Sequence, residues 1–140
     1  MKAKTAIQKG KELENWIVER LRLSGLDTRA YRQKGSGSGL NKGDIWNNLN
    51  LCIEAKNQKN IQKKWFKQAE KESLGTQEPI LVWHPSQEPL ENSKVFLNWD
   101  YFEKLLKQTK EPEMKNIDRT VAWKIRTAIN ALKSLLKELE

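Results

Sequence analysis

Apolar residues fall at helical spacing over 10–23, where Leu13, Trp16, Ile17 and Leu21 line one side of "GKELENWIVERLRL" and predict a helix. After Ser24-Gly25 the pattern changes. "TRAYRQ" reads as a short strand and "GSGSG" as a flexible loop, while "GDIW", "NNLN" and "LCIEAK" together read as a hairpin. Helical spacing returns over 60–74, with Ile61, Trp65, Ala69 and Leu74 inward. "PILVWH" predicts a buried strand with Pro79 at its edge, and "KVFLNW" predicts another, leading into the short helix "WDYFEKLLKQ". Pro112 breaks the pattern. Over 118–139, Val121, Ile125, Ala128, Ile129, Leu132, Leu135, Leu136 and Leu139 make a continuous stripe behind Asp118 as N-cap. This order predicts the α/β class, a mixed central sheet flanked by helices. We expect a core over 1–110 and an added amphipathic helix over 117–140, in a single domain overall.

Length and charge sharpen this picture. With 140 residues and 37% hydrophobic content, the chain is globular and large enough for a real core. Its 26 Lys+Arg against 18 Asp+Glu give a net charge of +8, which favours an anionic partner, nucleic acid before a membrane surface. Residues 1–20 contain no apolar signal core, and no stretch approaches the ~20 apolar residues of a membrane span. We expect a soluble cytoplasmic protein, with no membrane partner. One cysteine, Cys52, and one histidine, His84, cannot form a structural zinc site. Cys52 reads as buried rather than nucleophilic, and His84 as a strand-end side chain rather than a base.

Candidate chemistry comes from the hairpin. Along "LCIEAK", Leu51, Ile53 and Ala55 share one face, and Cys52, Glu54 and Lys56 share the other. With a three-residue turn at Asn48–Asn50, Ile45 pairs with Ile53 and Asp44 with Glu54. Opposed Cβ atoms lie about 4.5–5.5 Å apart, so these acids repel unless a cation lies between them. Hard carboxylate oxygens suit Mg²⁺ or Mn²⁺ rather than zinc. On the first helix, Glu14 alone among Glu12, Glu14 and Glu19 borders the apolar face and can reach toward a sheet. An acid-x-Lys spacing is weak by itself, since Glu113-Met114-Lys115 repeats it in a polar connection without a strand. A plainer alternative makes Asp44 a turn cap and Glu54–Lys56 a surface pair.

"KGDIWNNLNLCIEAKN" resembles the core of the PD-(D/E)XK nuclease superfamily. The segment ahead of it, with Lys9-Gly10 opening a helix, Glu14 four residues on, and "GSGSG" before Asp44, is similar to the archaeal-type Holliday junction resolvases and their phage relatives. The resemblance spans about residues 8–108, with Gly43 where the motif has proline. It implies a restriction-endonuclease-like fold and a homodimer. It also implies metal ligation by Asp44, Glu54 and Glu14, and a catalytic role for Lys56. The cofactor would be Mg²⁺, with Mn²⁺ as a substitute. The implied activity is resolution of four-way junctions by symmetric cuts, in recombination and repair, inside the cytoplasm of a cell or phage host. Alternatives are a related nuclease acting on flaps, nicks or a restriction-type site, and a DNA-binding module without catalysis. Branched duplex DNA would be held by Arg32, Lys34, Ser36, Ser38, Lys42, Lys59, Lys63 and Gln68, supported by Arg29, Lys64 and Lys67.

Overall fold

The computed structural model describes residues 2–33, 43–110 and 119–139. Two compact units divide the chain, residues 1–105 and 106–140. The boundary lies five residues before the 110 expected from sequence. In the first unit the elements run α1 (Ala6–Leu23), β1 (Tyr31–Arg32), β2 (Ile45–Trp46), β3 (Leu51–Asn57), α2 (Lys63–Glu72), β4 (Glu78–His84) and β5 (Lys94–Phe96). α3 (Trp99–Thr109) crosses the boundary, and α4 (Arg119–Glu138) belongs to the second unit. The strands form one sheet in the order β1-β2-β3-β4-β5. β3 and β4 pair in parallel and the other neighbours are antiparallel. The mixed sheet expected from sequence is present. No helix among the described residues is long and apolar enough to cross a membrane.

α1 begins earlier than its apolar spacing implied. Thr5 accepts the Gln8 backbone N–H at 3.2 Å, and the Gln8 side chain accepts the Thr5 N–H at 2.9 Å. This capping box satisfies two donors that a helix start otherwise leaves open. Leu13, Ile17 and Val18 of α1 then pack on Ile45, Ile53, Ala55, Ile80 and Val82, the core of the unit. Strand alternation sends Cys52, Glu54 and Leu81 to the opposite face, where α2 lies with Trp65 and Ala69 buried.

Side chains close the hairpin. Asn47 Oδ1 accepts the Leu49 and Leu51 N–H groups at 3.0 and 3.2 Å. Asn47 Nδ2 donates to the Ile45 and Leu51 carbonyls at 3.2 and 2.9 Å. Asn50 turns the chain at φ 59°, a conformation asparagine tolerates better than most residues. Asp27 accepts the Asn48 N–H at 2.6 Å and the Arg29 N–H at 3.0 Å. Those bonds tie the turn to the segment before β1. The result is the register expected from sequence, Ile45 opposite Ile53.

Two expectations differ in detail. Ile61 and Leu74, expected inward on the second helix, lie outside α2 and are exposed. "KVFLNW" gives a strand of three residues, all exposed, because β5 is the sheet edge and pairs only with β4. Pro79 is the second residue of β4, at the start of a buried strand as expected, and lies opposite Cys52 in the parallel β3–β4 ladder. Asp118 lies outside the described residues.

Candidate functional site

β3 is the axis of the site. Its even-numbered side chains point beneath α2, so Glu54 is only 1% exposed. Lys56, one step along the same face, holds its Nζ 3.5 Å from Glu54 Oε2. A surface ion pair does not describe this acid. From α2, Gln68 Nε2 donates to Glu54 Oε2 at 3.3 Å and to Glu72 Oε1 at 3.2 Å. Asp44 arrives from the strand opposite. Its backbone N–H donates to the Ile53 carbonyl at 2.8 Å, and its Oδ2 accepts the Ala55 N–H at 2.8 Å. The carboxylate thus bonds the β3 backbone directly. Gly43 permits this approach. A Cβ there would stand 3.1 Å from the Ile53 nitrogen and 3.2 Å from its oxygen, which proline at this position would also place.

The electrostatics follow from burial among like charges. Glu54 is pushed up to about 9, first by burial, then by its hydrogen bond with Glu72 and the charge of Asp44, against the pull of Lys56. Burial also raises Asp44, while the Ala55 N–H and the Lys56 charge hold it down. Glu72 Oε2 is buried without a hydrogen-bond partner among the described residues. Glu72 was not singled out from sequence, although it sits one helical turn beyond Gln68 and continues the inward stripe of Trp65 and Ala69.

A divalent cation fits this donor chemistry. Carboxylate oxygens are what Mg²⁺ and Mn²⁺ take, and buried carboxyl groups gathered among like charges are ones whose charged forms a cation would favour. Among the described residues, no three or more His, Cys, Asp or Glu are gathered into a group that could hold an ion. The oxygens have the right chemistry, and the set is not drawn together as a three-donor cage.

Glu14 does not join this group. Its Oε2 accepts Arg32 Nε at 2.7 Å, with both side chains largely buried. The reason is layering, since α1 packs on the Ile53–Ala55 face and Glu54 lies on the other. Arg32, expected on DNA, is therefore tied to Glu14 at the sheet's β1 end. Lys59 and Lys63 are exposed, as are Lys64, Lys67 and Lys71 along α2. Lys34, Ser36, Ser38 and Lys42 lie outside the described residues.

The two residues set aside from sequence behave as expected. His84 is buried, with Nδ1 3.0 Å from Asn57 Oδ1 and Nε2 2.7 Å from the Glu88 carbonyl. Both ring nitrogens are engaged within the fold. Burial pushes the Cys52 thiol up to about 11, against a hydrogen bond from Ser73, so it is a poor nucleophile at neutral pH. Comparison of the chain with family models, with curated proteins and with solved structures finds no match.

Proposed function

We propose that this protein is a metal-dependent endodeoxyribonuclease of the PD-(D/E)XK type, selective for branched duplexes and acting on four-way junctions. The observation that carries the reading is the convergence of Asp44, Glu54 and Lys56 on one face of β3. Two acids held up by burial, together with a lysine, stand where a core strand would ordinarily carry apolar residues. Such a cluster costs stability and is retained where chemistry needs it.

Asp44 and Glu54 would hold the ion, with Glu72 beside them. When bound, Mg²⁺ supplies Lewis acidity toward a phosphoryl oxygen and lowers the pKa of water. Gln68 fixes Glu54 by donating to Oε2, and the Ala55 N–H fixes Asp44. Lys56 Nζ, next to Glu54, orients the attacking water or offsets charge developing on the phosphate. The exposed lysines of α2 bind flanking phosphates without reading sequence.

A DNA-binding module without catalysis is the second reading. It is favoured by the partners these acids already have, Arg32 for Glu14 and Gln68 and Lys56 for Glu54. One experiment separates the readings. Purified protein is incubated with labelled four-way junction, flap and linear duplex, with and without Mg²⁺. Symmetric Mg²⁺-dependent cuts across the junction are expected. Binding without cleavage in Mg²⁺ and Mn²⁺ supports the second reading, and cleavage of flap or linear duplex in preference moves the substrate assignment.

A further inference from the structure

Every described residue of α4 is exposed. Its apolar side chains advance in alternating steps of four and three, from Val121 through Ile125, Ala128, Leu132 and Leu135 to Leu139, just past the helix. That alternation is the a/d seam of a coiled coil. Among the described residues of 106–140 nothing covers the seam, where Ile125 is 45% exposed, Leu132 60% and Leu135 56%. Ala122, Ile129 and Leu136 widen it on one side. Arg119, Arg126, Lys133 and Lys137 fall at positions away from the seam, while Lys124 and Glu138 border it.

We propose that α4 pairs antiparallel with α4 of a second copy of this chain. One register satisfies the apolar and the charged positions together. It sets Val121 against Leu139 of the second copy, Ile125 against Leu135, and Ala128 against Leu132, so the small Ala128 meets a large side chain in each half. The same register brings Lys124 of each copy beside Glu138 of the other, giving two opposite-charge pairs along one border. A parallel pair would instead put Lys124 beside Ile129 and gain no such pair. Antiparallel alignment also opposes the two helix dipoles. The seam is short, about 30 Å for 20 residues, so association in the micromolar range is expected rather than a permanent complex. The proposal does not depend on the nuclease reading, and cleavage is not its readout.

The test is sedimentation of the full chain across a micromolar concentration series. The wild type should be dimeric at the top of the series. Leu132→Asp should be monomeric throughout. Lys124→Glu alone should weaken dimerisation roughly tenfold, by turning two attractions into repulsions, and the swap Lys124→Glu with Glu138→Lys should recover it. The charge variants leave the seam intact, so they remain informative if Leu132→Asp melts the helix. A wild-type monomer overturns the proposal, including one whose helix instead binds phosphatidylserine vesicles. So does a dimer that survives Leu132→Asp, because its interface lies elsewhere. Failure of the swap to restore what Lys124→Glu loses overturns the antiparallel register.

Discussion

Glu54 is an acid in a place that disfavours its charge, and its titration gives the most direct residue-scale test. Burial, Glu72 and Asp44 raise it to about 9, and Lys56 only partly opposes them. A carboxyl whose folded pKa lies above its unfolded value favours folding less as pH climbs between the two. In chelator, thermal stability should therefore fall from about pH 5 to about pH 9. Glu54→Gln should flatten that slope, and Mg²⁺ should raise the melting temperature of the wild type most at the alkaline end, by favouring the charged form. Equal slopes in wild type and variant would show that Glu54 does not carry this linkage. For catalysis, Asp44→Asn and Lys56→Ala should each slow junction cleavage by about 10²-fold or more, with junction affinity changed little. Glu72→Gln should weaken the Mg²⁺ stabilisation. Near wild-type turnover in Asp44→Asn would remove the site assignment. Glu14→Gln tests the layering: it loosens Arg32 and should lower stability by about 1 kcal/mol while moving turnover less than Asp44→Asn does.

At the scale of elements, the β2–β3 turn sets the geometry of the site. Asn47 is 7% exposed and makes four hydrogen bonds within the turn. Replacing it with alanine strands buried backbone groups, and Asn47→Ala should destabilise the protein by about 2 kcal/mol in urea unfolding. Register is at stake as well as stability, because a slip of one residue on β3 turns Glu54 and Lys56 toward the α1 core. A variant unfolding at the wild-type urea midpoint would show that the Asp27 bonds and the strand ladder hold the hairpin alone. α2 joins site and surface. Its inward face carries Trp65, Gln68, Ala69 and Glu72, with Gln68 and Glu72 on Glu54, and its outward Lys63, Lys64, Lys67 and Lys71 face solvent.

For the whole molecule, the net charge of +8 predicts binding dominated by phosphate contacts. Log affinity for duplex or junction DNA should fall with log salt at a slope of about −0.9 per phosphate contacted. Lys63→Glu with Lys67→Glu should weaken binding across all sequences and make the slope shallower. A flat dependence between roughly 50 and roughly 200 mM salt would remove nucleic acid as the reason for the basic charge.

Features that depend on local periodicity are legible in the chain alone. Alternation along β3 put Glu54 and Lys56 on one face, and turn chemistry at Asn48–Asn50 set Ile45 opposite Ile53. Apolar spacing located the four helices to within a few residues. The start of α1 rests on a cap, Thr5 with Gln8, which apolar spacing does not mark. Which face of the sheet α1 and α2 cover came from packing alone. Glu14 borders an apolar face, and helical geometry carried it no further; packing of that face on Ile53 and Ala55 leaves it with Arg32. Packing of α2 on the other face brings Glu72 to Glu54, a contact between residues eighteen apart that neither strand nor helix period contains. Burial is likewise collective, and it is burial, more than any neighbouring charge, that lifts Glu54 to about 9.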